Sequence, residues 1–172
     1  MRKRLKHLKR LLHSLDIDPS DPSANTHESV QAGVFLAQLL YQQEEYGEAD
    51  ITEQVGYFFK WYNGPYSSSL EEDYRELVDQ LRFENATNGY AAQGSSLTRF
   101  AQQVGEAMSP PNEYGRSEWL LMTAAVAYLR AGADWSTEDA RSEIQDSLGT
   151  NEHFDRAQTQ LQDAGFEIPV LA

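Results

Sequence analysis

Leu5, Leu8, Leu12 and Leu15 recur at spacings of three, four and three, which lays a single apolar stripe along a helix. Residues 2–15 are therefore predicted to form an amphipathic helix with a cationic opposite face. Pro19 and Pro22 follow within the run Asp16-Ile17-Asp18-Pro19-Ser20-Asp21-Pro22, and prolines this close together cannot sit in a helix interior, so residues 16–25 read as an extended linker. A second helix is expected from about Thr26 to Glu45. Its middle, Ala32 to Ala37, is apolar all round, as for a central helix contacted from several sides. Tyr57-Phe58-Phe59-Lys60-Trp61-Tyr62 is aromatic and poor in helix formers, and predicts a short extended segment. Asn63-Gly64-Pro65 makes a turn. Ser67, Ser68 and Ser69 then offer N-caps, with Ser68 and Glu71 at capping-box spacing. Leu70, Tyr74, Leu77, Val78 and Leu81 define one face of the next helix, which should end near Glu84.

Between Asn85 and Ser96 the chain is polar and contains Asn88-Gly89 and Gly94, which suits a hairpin or an irregular loop. Ser96 or Thr98 should cap a short helix to about Met108. Ser109-Pro110-Pro111-Asn112 breaks the pattern, and three helices are expected after it, at about 117–131, 137–148 and 151–164. Glycines stand at their boundaries, and Ser136 with Glu138 and Asp139 supplies a cap and first-turn acids for the middle one. The expected fold is mainly α: a compact helical domain with a short aromatic extended segment and a winged-helix-like β-hairpin. The chain divides into a basic amphipathic helix (1–15), a Pro-containing linker (16–25), a helical core carrying the hairpin (26–108) and a C-terminal three-helix lobe (109–172).

Charge changes this picture in one respect. The 172 residues carry 14 Lys and Arg against 27 Asp and Glu, a formal net charge of −13. Residues 1–15 hold Arg2, Lys3, Arg4, Lys6, Lys9 and Arg10 with no acid, so the remainder sets eight cations against all 27 acids. A +6 head is joined to a −19 body. Lysine is nearly absent beyond residue 9 and the acids are dispersed, which fits a surface adapted to molar salt, as in an extreme halophile. The competing reading makes the acidic surface itself the binding site for a basic partner. The longest nearly apolar stretch, Ala32 to Tyr41, is half of what a membrane span needs. With no signal-peptide pattern, a cytoplasmic protein is expected.

Catalytic chemistry finds little support. The sequence has no cysteine, which excludes disulfides, thiolate nucleophiles and cysteine-ligated metals. His7, His13, His27 and His153 show no metal-helix spacing, so no metal is expected. Neither a phosphate-cradling glycine loop nor a Gly-x-Ser-x-Gly elbow occurs, and no cofactor is expected. An enzyme is not expected. That expectation would be reopened by a pocket gathering Glu53, His27 and Tyr62.

The informative segment runs from Gly56 to Tyr74. Two readings of its aromatics stand side by side. Trp61, Tyr62 and Tyr66 glue the following helix to the central one, as aromatics beside a turn commonly do. Alternatively, part of the run stays exposed as a partner anchor, since Trp and Tyr dominate interface hot spots. The candidate partner-binding residues are Trp61, Tyr62, Gly64, Pro65, Tyr66 and Ser67.

An apolar helix ending Leu39-Leu40-Tyr41-Gln42, an aromatic segment, then Gly64-Pro65-Tyr66-Ser67 with Leu70 and Tyr74, resembles the YwgA-like proteins and the wider Panacea (SocA-like antitoxin) group. Leu97-Thr98 is similar to the Leu-Thr that opens the helix after that group's wing-like hairpin. Glu118-Trp119-Leu120 through Tyr128-Leu129, and Phe154-Asp155-Arg156-Ala157 through Gly165-Phe166, resemble the C-terminal helices of YwgA-like proteins. The resemblance covers about residues 28–166. It implies a non-enzymatic protein-interaction module, an antitoxin or a defence-associated adaptor, whose partner is another protein.

The basic head lies outside the resemblance. Arg2, Lys3, Arg4, Lys6, Lys9 and Arg10 could neutralise phosphates, making the alternative a winged-helix-like nucleic-acid-binding regulator that uses this helix. Against that, residues 67–84 carry six acids and two arginines, a poor surface for phosphate. The head could also lie on an anionic membrane surface. Its self-complementary charge favours a third reading, in which it docks on its own acidic body.

Overall fold

The computed structural model describes residues 3–20, 25–44, 56–83, 96–111 and 114–169. Within them the chain is mainly helical: α1 (Lys3–Ser14), α2 (Asn25–Glu44), α3 (Ser68–Phe83), α4 (Ser96–Ala107), α5 (Arg116–Ala127), α6 (Thr137–Leu148) and α7 (Phe154–Asp163). Two short strands, β1 (Lys60–Trp61) and β2 (Pro65–Tyr66), pair antiparallel between α2 and α3, with Lys60 opposite Tyr66 and Trp61 opposite Pro65. The hairpin expected after Asn85 lies outside the described residues, apart from Ser96, which opens α4.

The expectation of a central helix is met by α2. Every residue from Ser29 to Tyr41 is buried, and α2 packs on α5 and α4 and touches α1, α3 and β2. An apolar girdle on all sides is what such a position requires.

Around this axis one hydrophobic cluster runs from Leu5 to Ile168 and includes the segments read from sequence as head, core and C-terminal lobe. The stripe of α1 is part of it: Leu5, Leu8, Leu11, Leu12 and Leu15 are each at most 1% exposed. At roughly 2 kcal/mol for each leucine taken out of water, this helix is bound to the body by its apolar face. Gly33 of α2 permits the approach, because a Cβ there would stand 3.0 Å from Leu15 Cδ1.

The helix ends before the prolines act on it. Asp16 adopts a left-handed φ of 58°, Ile17 N–H donates to the Leu12 carbonyl at 2.9 Å and Asp16 N–H to that of His13 at 3.0 Å. This is a Schellman ending, usually built on glycine. Arg116, at the start of α5, completes it by donating to the Leu15 carbonyl at 2.8 Å and the Asp16 carboxylate at 2.9 Å. Of the expected linker, Ile17 and Pro19 are buried, while residues 21–24 lie outside the described residues.

α5 closes in a π-turn, Tyr128–Gly132, in which Ala133 N–H reaches back five residues to the Tyr128 carbonyl at 2.8 Å. Arg130 in this turn is buried and donates to Gln158, to the Trp135 carbonyl and to the Pro169 carbonyl. The C-terminal segment is thereby tied to the end of α5. Ser136 caps α6 as expected, accepting from Asp139 N–H at 3.2 Å. At α3 the cap is Ser67, whose Oγ accepts from Leu70 N–H at 3.3 Å. The expected Ser68–Glu71 capping box is not made, because Ser68 already lies inside the helix and Glu71 turns to Arg75 and His27.

Candidate functional site

The segment from Tyr57 to Ser67 is held at both ends by two glutamines of α2. Gln38 Nε2 donates to the Tyr57 carbonyl at 3.1 Å while its Oε1 accepts from Tyr57 N–H at 3.1 Å. Gln31 repeats the pattern on Ser67, at 3.0 and 2.8 Å. A primary amide presents one donor and one acceptor side by side, so each glutamine pairs with a backbone residue as a neighbouring strand would. Seven residues apart, the two lie on one face of α2 about 10 Å from each other. Both are buried, where an unpaired amide would cost several kcal/mol.

Between these clips the side chains alternate. Tyr57 is buried, Phe59 and Trp61 are half-buried, and Phe58, Lys60 and Tyr62 are exposed. This is the period of two of extended backbone. The inward rings stack in order: Phe59 meets Phe35 edge-on at 5.3 Å between centroids, and Trp61 lies 5.5 Å from Tyr128 of the π-turn. Trp61 Nε1 donates to Glu143 of α6 at 2.8 Å. Tyr57 donates its hydroxyl to Asp73 at 2.7 Å, and Arg4 of α1 pairs with the same carboxylate and lies 4.7 Å over the Tyr57 ring. Burial, reinforced by Asp73, raises the Tyr57 phenol well above its ordinary range. Burial alone would lower Arg4, but Asp73 and Tyr57 acting together outweigh it and raise the guanidinium.

The turn takes its shape from Asn63 at φ 52° and Gly64 at φ 127°, and Tyr62 N–H closes it on the Gly64 carbonyl at 2.8 Å. Gly64 is fixed by both conformation and space, since a Cβ would stand 3.0 Å from Leu121 Cδ1. Gly64, Pro65 and Ser67 are buried and build the turn and the cap behind it. Tyr62 is 77% exposed, Tyr66 37% and Phe58 74%.

Two grooves flank these rings. One, of about 520 Å³, is lined by Phe58, Lys60, Trp61, Tyr62, Tyr66 and Ser68. The other, of about 260 Å³, runs along the α2 side, where His27, Glu28, Glu71 and Leu121 join Tyr62, Gly64 and Tyr66. Of the three residues whose meeting would reopen an enzymatic reading, His27 and Tyr62 share this groove, and Glu53 lies outside the described residues. His27 Nδ1 stands 3.1 Å from Glu71, yet among the described residues no Ser, Thr or Lys lines the groove as a nucleophile.

Phe58 and Lys60 join this outer face without belonging to the Gly-Pro-Tyr-Ser motif or its neighbouring Trp61 and Tyr62. Their signal was the strand alternation itself: a lysine inside an aromatic run marks which phase faces water.

On α1, Lys3, Arg4 and Lys6 are exposed, Lys9 and Arg10 are half-buried, and Arg2 lies outside the described residues. With its leucines in the core, α1 would have to leave the body before those leucines could meet a lipid surface. Among the described residues no helix is long and apolar enough to cross a membrane, and no three His, Asp or Glu side chains gather as metal ligands. No family model, curated protein or solved structure matches the chain.

Proposed function

We propose that the chain is a non-enzymatic protein-interaction module of the YwgA/Panacea type, serving as an antitoxin or defence-associated adaptor, and that the outer face of the β1–β2 hairpin is the surface its protein partner grips. One observation carries the reading: Phe58, Tyr62 and Tyr66 stand in water on a hairpin whose inner face is clamped to α2, α3, α6 and the π-turn. Exposed aromatics on a preorganised backbone add apolar contact at little ordering cost, the property of interface hot spots.

The test is capture of partners from the native host. A double Phe58→Ala, Tyr62→Ala variant should melt with the parent protein and lose the stoichiometric partner that the parent retains. Retention of that partner by the double variant would contradict the proposal, as would recovery of no partner by the parent. The position of Trp61 makes it the internal control: Trp61→Ala should lower the melting temperature.

A further inference from the structure

The two grooves beside the hairpin differ in charge. Lys60 lines the larger one, whereas the smaller has Glu28 and Glu71 in its lining and, among the described residues, neither lysine nor arginine. Tyr62 and Tyr66 stand between them, their ring centroids 6.2 Å apart and inclined by 51°. Glu71 is held by Arg75 at 3.0 Å and by His27 at 3.1 Å, while Glu28 is exposed and makes no ion pair among the described residues.

We propose that the smaller groove takes the guanidinium of an arginine presented by the protein partner, an inference that rests on the hairpin being the docking surface. Tyrosine rings attract a cation through their negative faces. A free carboxylate at the same groove can meet a guanidinium through two parallel hydrogen bonds. Arginine suits the pair better than lysine, because its planar, weakly hydrated head stacks on rings while it donates in its own plane. The net charge of −13 draws basic segments towards the protein over distances beyond contact.

The test titrates the full chain with acetyl-arginine-amide, and in parallel with acetyl-citrulline-amide, which keeps the shape and lacks the charge. Chemical shifts of the Asn63 and Gly64 amides and of the Leu121 methyls report the groove. The arginine compound should saturate these signals in the millimolar range, with citrulline at least about fivefold weaker. Glu28→Gln should weaken arginine about threefold and Tyr62→Ala should remove saturation, both without a change in melting temperature. Phe58→Ala should leave the titration as it was.

Equal binding of the two compounds, no response to arginine, or shifts spread over the whole acidic surface would each overturn the arginine site. Those outcomes leave the hairpin surface to be judged by partner capture. Conversely, saturation of the groove by arginine alongside partner capture that ignores Phe58 and Tyr62 would remove the hairpin reading and keep the cation site.

Discussion

Replacing Leu8 by alanine asks whether the basic head is a separate binding element or a part of the core. Leu8 is fully buried in the cluster that joins α1 to α2, α3 and α4. Truncating a leucine in such a place costs about 3 kcal/mol, through lost transfer energy and the cavity left behind. For a chain of this length that is a drop of about 6–12 °C in melting temperature. Lys6→Ala, on the exposed face of the same helix, should cost less than about 0.5 kcal/mol. Circular dichroism on heating, with urea unfolding to confirm an unchanged slope, measures both. A Leu8→Ala protein that melts within about 1 °C of the parent would show that α1 is not part of the cooperative unit. The same reasoning means that deleting residues 2–15 removes core, so loss of any activity in such a truncation reports unfolding as well as lost charge.

Gly64→Ala should cost about 1–3 kcal/mol, because alanine is strained at φ 127° and its Cβ presses on Leu121; thermal melting checks this, and an unchanged midpoint would refute the turn geometry. Gln38→Leu should destabilise by about 2–4 kcal/mol and speed exchange of the Tyr57 amide, since both backbone groups of Tyr57 lose their partner in the core; an amide still protected after the change would mean the clip is dispensable. His7 is lowered below its ordinary value, first by burial and then by Arg10 and Lys3. Protons therefore bind the unfolded chain first, and the stability present above the unfolded value near 6.5 is lost as pH falls through the lower folded value. His7→Gln should flatten the decline in melting temperature between neutral and mildly acidic pH, and an equally steep decline would refute the assignment. Molar potassium chloride, which shortens screening to about 3 Å, should raise the melting temperature of a body carrying 27 acids; no rise would return the acidic surface to the candidate binding sites.

Periodicity made most of the helices legible. The Leu5–Leu15 stripe, the all-round apolar stretch of α2 and the face of α3 each state a helix and the side it buries. They do not state which neighbour lies against that side: charge alone points α1 to its own body in the sequence, and the burial of Leu8 and Leu12 in the core is what places it there. Boundaries set by local chemistry were harder to read. Asp16 ends α1 in a conformation that glycine usually supplies, and the cap of α3 falls on the first serine of three. The aromatic segment could be located but not sorted by residue type, because Trp61 and Tyr62 are equally suited to core and surface. Alternation along the strand sorts them, and only with its inward phase known. Gln31 and Gln38 gave no signal, since a polar residue on an apolar helix reads as an interruption until its backbone partner is seen.

Because those glutamines bind main-chain groups, the attachment of the hairpin is indifferent to which side chains the hairpin displays. Positions 58, 60, 62 and 66 form a replaceable cassette between fixed ends. Substitution there can redirect the protein to a new partner without founding the fold again, and related chains that kept the clips while varying these four positions would share an architecture and differ in what they hold.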